Sequence, residues 1–147
     1  MTTDANSSKP SPRIAVIGSG YWGKNLVRNF HHIGALELIC DRSEDLLANF
    51  REQYTGVKTC LALSDVLKDE TIDGVAIATP AETHYGLAKE ALLGGKHVYV
   101  EKPLVLNEKE GEELIELAKQ RKLVLMVGHL LQYHPIFIKL KELALDG

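Results

Sequence analysis

A doubly wound α/β domain built on a parallel sheet is the fold this sequence predicts, and three observations carry the prediction. From Arg13 onward, short apolar runs alternate with helical stretches about six times. The runs are continuously apolar rather than alternating, the pattern of strands covered on both faces. The first run stops at a glycine cluster that opens a helix, as the entry to a right-handed crossover does.

Each element follows in order. Arg13–Ile17 reads as the first strand and Tyr21–Ile33 as the helix after it, with Leu26, Val27, Phe30 and Ile33 at helical spacing and Gly34 closing it. Leu36–Cys40 is the second strand, and Ser43 is placed to cap the helix carrying Leu46, Leu47 and Phe50. Val57–Leu61 is a weaker strand, followed by a short helix, Ser64–Lys68, with Ser64 as its expected cap. Gly74–Ala78 is a strand ending at Thr79-Pro80, and Glu82–Leu93 is helical up to Gly94-Gly95. His97–Val100 is the fifth strand. Asn107 and Glu110 have the spacing of a capping box, with glutamates in the first turns of that helix and Lys119, Arg121 and Lys122 in its last, as the helix dipole favours. Leu123–Val127 is the last strand, with Met126 expected in the core, and Ile136–Leu145 is a last amphipathic helix.

The bulk properties narrow the function. The chain has 147 residues, 45% hydrophobic and 25% charged, with a net charge of −3. That suits one domain with its own core, expected over residues 13–147. Residues 1–12 are polar and without periodicity, an expected flexible tail rather than a secretory signal. No polybasic run points to nucleic acid or an anionic membrane surface, and no stretch approaches the roughly 18 apolar residues of a span. Cys40 and Cys60 form neither a disulfide framework nor a CxxC site, and a reducing cytoplasm is the expected location. His31 and His32 lack a third ligand at a zinc-like spacing, so no metal is expected.

Gly18-Ser19-Gly20-Tyr21-Trp22-Gly23 is a GxGxxG loop between a strand and a helix, the context in which that pattern binds dinucleotides. Gly18 permits the tight turn, Gly20 lets backbone approach a pyrophosphate, and Gly23 lets helix and strand pack closely. The helix N-terminus adds unpaired N–H groups and a positive dipole. Tyr21 and Trp22 are expected close to the cofactor. Asp41 ends the second strand about 20 residues on, where a carboxylate accepts from ribose hydroxyls and repels a 2′-phosphate. It favours NAD over NADP, while Arg42 beside it is able to hold that phosphate. Two further strand ends carry polar groups: Thr79-Pro80, and Glu101-Lys102-Pro103, where proline restrains Lys102 towards extended geometry and the ligand crevice. A lysine there is suited to hold a substrate hydroxyl and take part in proton transfer. His129 and Tyr133 follow the last strand on the side expected to face substrate.

In order and spacing, Gly18–Gly23, Asp41, Thr79-Pro80 with His84, Glu101-Lys102-Pro103-Leu104 and Gly128-His129 resemble the glucose–fructose oxidoreductase/inositol dehydrogenase (Gfo/Idh/MocA) family. The resemblance runs from Arg13 to the end. It implies that Lys102 contacts the hydroxyl being oxidised, that Glu101 lies near the nicotinamide ribose, and that Thr79, Pro80 and His84 lie along NAD. It also implies a cis Lys102–Pro103 bond. Gly20–Leu26 and Gly128–Pro135, with Gln132-Tyr133 where members more often have Arg-Phe, resemble the subgroup of nucleotide-sugar 3-dehydrogenases. Those oxidise C3 of UDP-N-acetylglucosamine or its uronic acid for bacterial surface polysaccharide. Another polyol or inositol, or a non-catalytic NAD(H)-binding module, are the alternatives. Members continue into a second α/β domain that binds substrate and supplies the acid/base histidine. The resemblance thus implies that this chain lacks that domain and has little turnover alone, and that the whole protein is a homo-oligomer.

Overall fold

The computed structural model describes residues 11–145. The expected tail therefore lies, except for Ser11 and Pro12, outside the described residues. Six strands, β1 (Ile14–Ile17), β2 (Leu36–Cys40), β3 (Lys58–Cys60), β4 (Gly74–Ile77), β5 (His97–Val100) and β6 (Leu125–Val127), form one sheet in the order β3-β2-β1-β4-β5-β6. Every pairing is parallel. Between them run α1 (Gly23–His32), α2 (Glu44–Gln53), α3 (Leu63–Lys68), α4 (His84–Leu93) and α5 (Glu108–Arg121), and α6 (Pro135–Leu145) follows β6.

Successive strand residues face opposite sides, so each central strand supplies two cores. Ile17, Ile77 and Val100 meet Val66 of α3, Leu92 of α4 and Leu114 of α5 on one face. Val16, Ile39 and Ala76 meet Val27 of α1 and Leu47 and Phe50 of α2 on the other. A buried lysine fastens the floor of the sheet: Lys96 Nζ donates to the carbonyls of Asp69 and Ile72, both at 2.8 Å.

Several local expectations need correction. Met126 is 41% exposed rather than core, because β6 is an edge strand and lies beyond the reach of α1 and α2 on that face. The N-cap of α3 is Ala62, two residues before the expected Ser64, and Leu63, which opens the helix, packs against the core. Asn107 caps α5 by accepting from the N–H of Lys109, so the expected capping box with Glu110 reduces to a simple cap. The helix after β4 begins as a 3-10 turn, Ala81–Thr83, and α1 begins at Gly23, because Tyr21 and Trp22 belong to the turn.

The strand order reverses between β1 and β4, which leave in opposite directions across the sheet. This is where parallel sheets open a crevice at their carboxyl ends. Gly18, Asp41, Thr79 and Glu101 all stand one residue or two beyond the ends of β1, β2, β4 and β5, at that edge.

Candidate functional site

The loop after β1 is shaped by what glycine lacks. Gly18 has φ +84°, and a Cβ there would stand 2.7 Å from Thr79 Cγ2. A Cβ on Gly23 would overlap the Gly18 carbonyl oxygen, so α1 approaches the loop as closely as backbone allows. Gly20 is different: nothing lies within 4 Å of where its Cβ would be, which leaves its backbone open to a ligand. The first turn of α1 carries no acidic residue to compete with an anion, although the N–H groups of Lys24 and Asn25 already donate to the carbonyls of Gly20 and Trp22, at 3.2 and 2.9 Å.

Asp41 organises this loop from the neighbouring strand. Its Oδ2 accepts from the Ser19 N–H at 2.7 Å and the Ser19 Oγ at 2.9 Å, while Oδ1 accepts from the Ser43 N–H at 3.0 Å. Burial, the largest single influence, raises its pKa, but the bonds from Ser19, Ser43 and the Arg42 backbone together outweigh it and hold the carboxyl below its ordinary range. Ser19 is buried and turned onto Asp41 rather than into the cleft. Arg42 is exposed at the rim.

Two clefts that share part of their lining lie along this edge. One, of about 650 Å³, is bounded by Gly18, Gly20, Asp41 and Arg42 on the loop side, with Leu46, Leu61, Leu63 and Leu87 forming an apolar wall. The other, of about 630 Å³, is bounded by Glu101, Lys102, His84, Gly128 and His129, with Leu130, Leu131, Gln132 and Phe137 above. Trp22, Ala78 and Thr79 belong to both. Tyr21 and Pro80 line the first, and Tyr21 is otherwise 87% exposed. Tyr133 lines neither; its neighbour Gln132 faces the second cleft in its place. Among the described residues no group of three or more His, Cys, Asp or Glu side chains could hold a metal ion.

His84 joins the two loops beneath the second cleft. Its ring is buried, with Nδ1 2.7 Å from the Pro103 carbonyl and Nε2 2.8 Å from the Thr79 carbonyl. Thr79 is held further by its Oγ1, 2.7 Å from Thr83 Oγ1, which donates to the Pro80 carbonyl. The Lys102–Pro103 bond is cis. Lys102 faces the cleft without an ion pair to Glu101; Glu101 instead accepts from the Tyr99 hydroxyl at 2.8 Å. Sequence reasoning missed Tyr99, which reads as an ordinary strand aromatic. The period of two in a strand is the signal that could have found it, since it places residues 99 and 101 on one face. It also missed the leucine wall of the first cleft, which comes from three helices and the segment between β3 and α3. Burial, foremost, raises the Cys40 and Cys60 thiols, which suits neither to nucleophilic work.

The residues present fit an extended dinucleotide: an open glycine backbone at a helix N-terminus, a fixed carboxylate beside it, and two clefts that share a wall. Such an arrangement on a 3-2-1-4-5-6 sheet defines a Rossmann dinucleotide-binding domain. The chain belongs to the GFO_IDH_MocA oxidoreductase family, with its NAD-binding Rossmann fold, whose model matches residues 12–129. UDP-N-acetylglucosamine 3-dehydrogenase of Acidithiobacillus ferrooxidans is 33% identical over 132 residues, covering 88% of this chain and 41% of that protein. Myo-inositol 2-dehydrogenase of Thermotoga maritima is 31% identical over 137 residues, covering 92% and 41%. The crystal structure of GenD2 from gentamicin A biosynthesis, in complex with NAD, superposes with a TM-score of 0.87 at 31% identity, over 92% of this chain and 39% of that one. The chain therefore spans about two fifths of the length of these relatives.

Proposed function

We propose that this chain is the cofactor-binding part of an NAD-dependent dehydrogenase acting on a ring hydroxyl of a nucleotide sugar, C3 of a UDP-N-acetylglucosamine-type substrate, for bacterial surface polysaccharide. The observation that carries the reading is Lys102, set in a cleft that shares Trp22, Ala78 and Thr79 with the one lined by Gly18, Gly20 and Asp41. Gly18, Ser19, Gly20 and Gly23 would shape the cradle for the pyrophosphate, Asp41 and Arg42 would meet the adenosine ribose, and Tyr21, Trp22, Thr79, Pro80 and His84 would flank the path to the second cleft. Glu101 would stand at the nicotinamide side. NAD, when bound, would supply the acceptor for the hydride of the carbinol C–H bond. Lys102 would hold the hydroxyl oxygen with its ammonium and favour the developing negative charge there. The hydroxyl proton would pass to a base supplied by the substrate domain that relatives carry beyond this length. His129, and Tyr133 at the rim, would contact the sugar. The leucines and Phe137 over the cleft would exclude water from the reacting carbon. A cytoplasmic homo-oligomer is the proposed state of the whole protein.

The test is turnover by the whole protein on a panel of UDP-sugars and free polyols, with Lys102→Met beside the parent. We expect UDP-N-acetylglucosamine or its uronic acid to be the preferred substrate. Lys102→Met should lower kcat by about a hundredfold or more while NAD affinity stays within twofold or so. The similarity to myo-inositol 2-dehydrogenase favours a second reading, a free polyol substrate, which the same panel separates. Unchanged function in the Lys102 variant would instead indicate an NAD(H)-binding module without chemistry.

A further inference from the structure

We infer that Tyr99 is a positioning residue that fixes the Glu101 carboxylate at the nicotinamide end of the cleft, with Gly128 as the third part of the device. The inference rests on the reading above in which Glu101 meets the ribose on that side.

Three contacts define the arrangement. The Tyr99 hydroxyl donates to Glu101 Oε1 at 2.8 Å. Gly128, held abreast of β5 by its N–H bond to the Val100 carbonyl at 2.8 Å, closes over the pair. A Cβ there would overlap the Tyr99 hydroxyl and stand 2.9 Å from Glu101 Oε2. Glutamate has three rotatable side-chain bonds, and one at a strand end has little else to select a rotamer. A bond to one carboxylate oxygen, with backbone over the other side, selects it in advance of binding. Glu101 lines the cleft and Tyr99 does not, so Tyr99 stands behind the carboxylate and acts through it. The phenol is suited to remain a donor: burial first, then the bond to Glu101 and its charge, raise Tyr99 above its ordinary range.

The arrangement also has a plain packing alternative, since the Tyr99 ring lies against the cluster formed by Val16, Ile39 and Ala76. Tyr99→Phe separates the two, because it keeps the ring and removes only the hydroxyl. The experiment is calorimetric titration of the full chain with NAD, ADP-ribose and ADP, in the parent, Tyr99→Phe, Glu101→Gln and the double variant, with thermal midpoints recorded alongside. ADP lacks the second ribose, so it reports on the loop and Asp41 alone. We expect Tyr99→Phe to weaken NAD and ADP-ribose by about tenfold and leave ADP unchanged. It should add no further loss in the Glu101→Gln background, as two residues acting through one contact do. Gly128→Ala reaches the same pair from the residue after β6 and should show the same selective loss.

Parent-like NAD binding in Tyr99→Phe, or equal loss of NAD and ADP, overturns the inference. So does full additivity with Glu101→Gln. If Glu101→Gln itself binds NAD like the parent, the reading of Glu101 as a cofactor contact fails and the inference fails with it. If Glu101→Gln weakens NAD and Tyr99→Phe does not, the inference alone is lost.

Discussion

Asp41 does two things with one carboxylate. It ties down the glycine loop through Ser19 and leaves its edge beside the first cleft, so loop shape and proposed ribose recognition share a residue. Asp41→Asn should therefore weaken NAD by about tenfold or more and shift preference towards NADP, with Arg42 then free to pair with a 2′-phosphate; titration with both cofactors checks it. The pH dependence has a definite sign. A carboxyl lowered by folding contributes stability that is fully present above the ordinary aspartate value of about 3.9 and is lost as pH falls through the lowered one. Asp41 should thus leave stability level between pH 7 and pH 5 or so, its loss appearing only in acid. The Asp41→Asn variant should show a smaller acid-side loss, as acid titrations followed by circular dichroism would show. Gly18 is the other sensitive position. Gly18→Ala meets both a left-handed φ and Thr79, and should cost about 1–3 kcal/mol in denaturant unfolding together with NAD binding. The left-handed turn at Gly18 and the place of Asp41 just beyond β2 were both legible in the sequence, because a tight turn calls for glycine and the apolar run stops at the carboxylate. Ser19 as the partner of Asp41 was not, since a serine in that loop carries no mark of which way it turns.

At the scale of elements, all six strands could be read directly, but which of them lie at the edges of the sheet could not. β1, β4 and β5 are apolar runs ending at glycine, proline or charge, and the pattern survives because both faces are covered. Met126 was misjudged for the converse reason: hydrophobicity tells that a segment is a strand, but strand order decides whether it is an edge. The α3 cap failed similarly, because packing of Leu63 outweighed the preference of Ser64. Tertiary bonds from single side chains also tie elements together. Lys96 satisfies two carbonyls in the connection from α3 to β4, far from the clefts. Lys96→Met should leave those carbonyls unpaired and cost about 1–3 kcal/mol in urea unfolding, with NAD affinity unchanged. His84 bridges the loops after β4 and β5, so loss of its ring should be felt in both stability and the second cleft.

For the whole molecule, the order β3-β2-β1-β4-β5-β6 means that, among the described residues, the sheet's two halves meet at the pairing of β1 with β4, four register pairs long. The glycine loop and Asp41 hang from one half, and Thr79, Glu101 and Lys102 from the other. On the proposed placement, ADP touches mainly the first half while NAD reaches across both. A ligand that binds only the folded state at 100 times its Kd adds about 2.7 kcal/mol. The two nucleotides should nevertheless distribute that protection differently when amide hydrogen exchange is followed strand by strand. ADP should slow exchange in β1 and β2, and NAD in β4 and β5 as well. The crevice is then a seam, and the cofactor is the stitch that makes two three-stranded halves open as one.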